Sequence, residues 1–114
     1  MIDFKSRKTD RGTLVIQASG KLDNDTNYYF FECVRDEIKK GNKKIVISFD
    51  GLGYVSSLGL GSLVRESSRV GKTGGTIHLA GIESQVLDIL SVVNLDRAFH
   101  IFDTEDEAIW AIEE

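Results

Sequence analysis

The 114 residues suffice for one hydrophobic core and not for two, so residues 1–114 read as a single domain. Fourteen Lys and Arg against eighteen Asp and Glu leave a net charge of −4 with both signs interspersed, which excludes the basic footprint a nucleic-acid backbone requires. No apolar run approaches the roughly 20 residues that span a bilayer, and Met1-Ile2-Asp3-Phe4-Lys5 lacks the layout of a secretory signal; a cytoplasmic chain without membrane insertion or direct nucleic-acid contact is expected.

Residues 2–8 alternate, Ile2, Phe4 and Ser6 on one side and Asp3, Lys5 and Arg7 on the other, as an edge strand does. Asp10-Arg11-Gly12 offers a tight turn into a second strand, Thr13 to Ala18, which closes an antiparallel hairpin. Gly20 to Thr26 reads as an exit loop whose Asn24, Asp25 or Thr26 caps a helix. That helix carries Phe30, Val34 and Ile38 at four-residue spacing, with Phe31 and Cys33 beside the stripe, and Gly41 ends it. Cys33, the one cysteine, reads as a small buried apolar residue.

Lys44 to Phe49 is β-branched and almost wholly apolar, the pattern of a strand covered on both faces. A glycine-bearing loop, Asp50 to Val55, is expected to follow, and Ser56-Ser57 to open a helix with Leu60, Leu63, Val64 and Val70 on its apolar side and Gly71 as its stop. Gly74-Gly75 turns the chain into a strand over Thr76–Ala80. Ser84 precedes a third amphipathic segment, Val86, Leu87, Leu90 and Val93, that stops near Asn94. Phe99–Phe102 is the last strand, and Thr104-Glu105-Asp106-Glu107 has the spacing of a capping box for a C-terminal helix. Strands separated by helices define an α/β domain, a mixed and mostly parallel sheet of about five strands with four helices and right-handed crossovers between parallel strands.

Reactive chemistry is sparse. His78 and His100 fall inside predicted strands, whereas ligands in open α/β sheets gather beyond the strands' C-terminal ends. No Cys/His set has zinc spacing. Gly51-Leu52-Gly53 and Gly59-Leu60-Gly61 lack the lysine of a phosphate loop and the spacing of a dinucleotide fingerprint, so they read as glycines for a tight loop and close helix packing. Ser56-Ser57 differs: either hydroxyl can cap the helix, and a phosphoryl group there would add about −1.5 to −2 charges beside backbone N–H groups and the positive end of a helix dipole. Asp23 and Asp25 read as turn acids that would repel such a phosphate if their loop lies nearby. Trp110 reads as packing on the last helix.

Taken together, Gly20-Lys21-Leu22-Asp23 before a helix, Phe49-Asp50 leading through Tyr54-Val55-Ser56-Ser57-Leu58-Gly59-Leu60-Gly61, and the C-terminal run Asn94 to Ala108 resemble the STAS domain of bacterial anti-sigma factor antagonists. The resemblance implies the STAS fold for nearly the whole chain. Aligned on Gly59-Leu60-Gly61, it makes Ser57 the phosphoacceptor, with Ser56 where the family usually has Asp and Leu58 where it usually has Ser or Thr. It further implies a non-enzymatic switch without a cofactor, whose partner-binding residues are Asp23, Asp25, Thr26, Ser56, Ser57, Leu58 and Gly59. The implied partners are an anti-sigma factor with a histidine-kinase-like ATPase fold, which phosphorylates Ser57, and a PP2C-type phosphatase that reverses the mark. An alternative, motivated by Ser56 and Leu58, keeps the fold without phosphorylation, as in STAS subunits attached to ABC transporters; an enzymatic alternative rests on the glycine-rich loops alone.

Overall fold

The computed structural model describes residues 2–83, 87–88 and 100–114. Five strands, β1 (Ile2–Lys8), β2 (Leu14–Leu22), β3 (Lys44–Val55), β4 (Thr76–Ala80) and β5 (His100–Phe102), lie side by side in that order. β1 is antiparallel to β2 and the other neighbours are parallel. Among the described residues three helices accompany them: α1 (Asn27–Lys39), α2 (Ser57–Gly71) and α3 (Glu105–Glu113). The amphipathic segment expected near 84–94 lies outside the described residues, apart from the helical residues 87 and 88.

Strand register sorts the side chains onto two faces. One row runs Ser6, Ile16, Ile47, Leu79 and Ile101 across all five strands. With Leu14, Ile45 and Ile77 from the neighbouring row, it forms the main core together with Phe30, Phe31 and Val34 of α1 and Leu60, Leu63 and Val70 of α2. The opposite face carries the row Arg7, Val15, Val46, His78 and His100. There Val15, Val46 and Ala80 meet Ala108 and Ile112 of α3. The alternation read from residues 2–8 is therefore the sheet's own, and the apolar run of the central strand is covered on both sides.

β2 and β3 continue beyond their expected ends. The expected loops over Gly20–Leu22 and Asp50–Val55 are paired strand, with register shifts between Gln17 and Ser19 and between Gly20 and Lys21. Glycine makes this continuation possible: a Cβ on Gly51 would stand 2.7 Å from the Ser19 Cβ and 3.0 Å from the Ala18 carbonyl oxygen. What resembled a loop in composition is a close backbone approach inside a bulged strand. α2 ends at Gly71 as expected, with Lys72 as its C-cap, and Gly74, at φ 84°, turns the chain.

α3 starts as its capping box requires, with the Glu107 amide donating to Thr104 Oγ1 at 3.1 Å. Its ends are tied to the hairpin. Arg7 and Gln17 donate to Glu105 at 2.6 and 2.8 Å, while the Thr9 and Thr13 hydroxyls donate to Glu113, the latter at 2.7 Å. The two threonine hydroxyls hold the Glu113 carboxyl below the usual carboxylate range, with lesser help from Arg11 and Lys44 against partial burial. A lowered folded-state pKa gives stability that is complete above the ordinary glutamate range and is lost as pH falls through the folded value. Thr13→Val is accordingly expected to lower the urea midpoint at pH 7, with the deficit from wild type shrinking as acid protonates Glu113; parallel denaturation series at several pH values check this.

Candidate functional site

Leu22 pairs with Val55, and the next residues, Asp23 and Ser56, leave the C-terminal ends of two parallel neighbours, β2 and β3. The Ser56 amide donates to the Leu22 carbonyl at 2.8 Å. Both loops singled out in the sequence thus emerge side by side, where open α/β sheets present their functional residues.

The two adjacent hydroxyls have different jobs. Ser56, 7% exposed and extended at φ −81° and ψ 165°, caps α2 by accepting the Gly59 amide at 3.1 Å. Ser57 is the first residue of the helix and is exposed. Its own amide and that of Leu58 belong to the first-turn donors that a helix leaves without an intrahelical acceptor, and no acidic residue occupies that turn. Removing the cap with Ser56→Ala should cost about 1 kcal/mol. Ser57→Ala, at an exposed position with no capping bond, should stay within about 0.5 kcal/mol of wild type. Urea denaturation of both variants checks the pair.

Gly59 seats this turn against the sheet. A Cβ there would lie 3.0 Å from Leu22 Cδ2 and 3.3 Å from Val55 Cγ1, so the helix start approaches β2 and β3 more closely than a larger residue allows. Gly61, expected to share that role, instead faces open space. Deeper in, Asn27 Nδ2 donates to Ser62 Oγ at 2.9 Å and joins the first turn of α1 to the second turn of α2. Glu66, buried in α2, is flanked by Arg35 and Arg69, whose Nε atoms lie 3.8 and 3.2 Å from its carboxylate.

The β2–α1 loop is self-contained. Asp23 Oδ1 accepts the amides of Asp25 and Thr26 at 3.0 and 3.1 Å, while the Thr26 hydroxyl accepts the Asp23 amide at 3.0 Å and donates to the Lys21 carbonyl at 2.8 Å. Thr26 precedes α1 without a side-chain capping bond, because its hydroxyl is spent on this turn. Partial burial works to raise the Asp23 pKa, but the backbone and side-chain hydrogen bonds from Thr26 and the amide of Asp25 outweigh it and leave the carboxyl below its ordinary value. Asp23 is therefore a fixed anion at neutral pH. The Asp25 side chain is exposed.

Large exposed side chains rim the same end of the sheet: Tyr28 at 71%, Tyr54 at 51% and Leu58 at 46%. Tyr29, beside Tyr28, leans on Phe4 with ring centroids 5.6 Å apart. Tyr28 and Tyr54 were not singled out by sequence reasoning; the available signal was their position off the Phe30-Val34-Ile38 stripe and beyond the apolar part of β3. Among the described residues no cluster of three or more His, Cys, Asp or Glu is arranged to hold a metal, and no helix is long and apolar enough to cross a membrane.

The molecule is thus an α/β domain with an antiparallel hairpin at one edge, an exposed serine at the first position of the helix after its central strand, and an acid-bearing turn beside it. The chain belongs to the STAS domain family, whose model matches residues 5–108. A Thermotoga neapolitana protein named as an anti-sigma factor antagonist homologue is 30% identical over 97 residues, covering 84% of this chain and 86% of its own length. The crystal structure of a Thermotoga maritima protein assigned as an anti-sigma factor antagonist superposes with a TM-score of 0.90 at 27% identity, covering 97% of this chain and 95% of that one. The phosphorylated form of the Bacillus cell fate determinant SpoIIAA shares the fold, with a TM-score of 0.74 at 22% identity over 96% of this chain and 99% of that one.

Proposed function

We propose that this protein is an anti-sigma factor antagonist switched by phosphorylation at Ser57. The observation that carries the reading is the exposed hydroxyl of Ser57 at the first position of α2, left free because Ser56 supplies the cap. In the unphosphorylated state, Ser57, Leu58 and Asp25, with the rim of Tyr28 and Tyr54, present a surface to an anti-sigma factor of histidine-kinase-like ATPase fold. Asp23, Thr26, Ser56 and Gly59 hold the two loops in that shape. Binding the anti-sigma factor frees a sigma factor for transcription.

Phosphorylation by that same partner adds about −1.5 to −2 charges to a surface that already carries Asp23 and Asp25. The helix N-terminus tolerates the group within the free protein, so the fold survives. The interface does not, since it would have to desolvate a dianion and meet like charge. A PP2C-type phosphatase restores the neutral hydroxyl. ATP belongs to the partner, so this chain works in the cytoplasm as a non-enzymatic regulator without a cofactor. The named homologue and the phosphorylated SpoIIAA fold support this reading.

Affinity purification of the tagged chain from its native host tests it. Recovery of a kinase-like anti-sigma factor in stoichiometric amount is expected; recovery of a transporter ATPase, with no kinase, would replace the reading with that of a constitutive structural subunit.

A further inference from the structure

His78 and His100 play no part in the site above, yet parallel register places them side by side on β4 and β5, with ring centroids 4.9 Å apart and planes tilted by 41°. His78 is 7% exposed, and Phe102 stands 4.9 Å away on its other flank. Its Nδ1 lies 3.2 Å from the Ala108 carbonyl of α3. A carbonyl oxygen only accepts, so Nδ1 carries the proton and the neutral ring has its lone pair on Nε2.

A second proton would therefore place a full charge in a buried layer where, among the described residues, no carboxylate is placed to neutralise it. β3 contributes Val46 as the register partner of His78, and β5 contributes His100 and Phe102. α3 presents Ala108, while its acids are engaged elsewhere: Glu105 with Arg7 and Gln17, Glu107 with Thr104, and Glu113 with Thr9 and Thr13. Asp106 is exposed. The ring facing His78 among the described residues is thus a second histidine rather than a carboxylate, so a proton gained by His78 meets no opposite charge there. β5 has three residues and α3 nine, so the charge falls on short, peripheral elements.

We propose that the His78–His100 pair is a proton-operated latch, through which mild acidification loosens β5 and α3 from the sheet while the hairpin, α1 and α2 stay folded. Burial lowers the affinity of His78 for its second proton, and proximity to His100 lowers it further against the hydrogen bond to Ala108. The unfolded chain then binds more protons than the folded one below about pH 6.5, so stability falls as pH drops from there to the folded value. Loosening α3 would uncover Val15, Val46 and Ala80.

Hydrogen exchange of the full chain at pH 7.5 and pH 5.5, corrected for intrinsic rates, tests the latch. Protection in β5 and α3 should fall by several-fold, up to about tenfold, between the two pH values, with α1 and α2 unchanged. His78→Phe should abolish that dependence, and His100→Gln should weaken it if His78→Phe does not fold. Equal protection at both pH values in wild type, a loss spread evenly over all elements, or the full loss persisting in His78→Phe or in His100→Gln would overturn the proposal.

Discussion

Ser57→Asp is expected to weaken binding to the anti-sigma partner by about 30-fold or more, about 2 kcal/mol, while Ser57→Ala stays within a factor of about three of wild type. The asymmetry follows from where the residue sits. Ser57 caps nothing and is exposed, so neither variant disturbs the helix start that Ser56 holds through Gly59. A carboxylate next to the first-turn amides suits the free protein, and the whole penalty therefore falls on the complex. Calorimetric titration of both variants into the purified partner reads the difference directly. Equal affinities would remove Ser57 from the switch.

Phe30→Ala should be the most damaging single truncation, costing about 3–5 kcal/mol. The Phe30 side chain is fully buried in α1, edge-on to Phe4 of β1 at 5.6 Å and to Phe31 at 5.1 Å. Its loss opens the junction between the hairpin edge and the helical layer. A domain of this size has about 5–15 kcal/mol of stability in total, so the melting temperature should fall by roughly 15 °C or more. Thermal unfolding followed by circular dichroism checks it, with Tyr28→Ala as an exposed control on the same helix that should stay near wild type.

The strand and helix alternation was legible because each element carries its own period: two for residues 2–8, four for Phe30, Val34 and Ile38, and a continuous apolar run for Lys44 to Phe49. The misplaced strand ends have their physical origin in glycine, whereas Trp110, read as packing on the last helix, is 69% exposed because it lies off the face of α3 that meets the sheet. Gly51 looks like a loop residue by itself, and only the pairing of β2 with β3 shows that it permits two backbones to approach within a bulged strand. Gly71 does close α2, and the chain then turns at Gly74.

At the candidate site, spacing found the two serines but could not divide the labour between them. Capping depends on backbone dihedral angles, and those favour Ser56. The neighbourhood of Asp23 and Ser56 was a conditional expectation, because it rests on Leu22 pairing with Val55 across 33 positions of sequence. The His78–His100 stack belongs to the same class. Each is defined by what stands opposite in a neighbouring strand or helix, information that local pattern does not contain.

Ser57 as the site of regulation is tested most directly by incubating the complex with ATP, mapping phosphate by mass spectrometry and following the fraction still bound. Phosphate on Ser57, accumulating in step with dissociation and reversed by a PP2C-type phosphatase, is the predicted result. Phosphate confined to another residue, or full occupancy of Ser57 with the complex intact, would contradict the account.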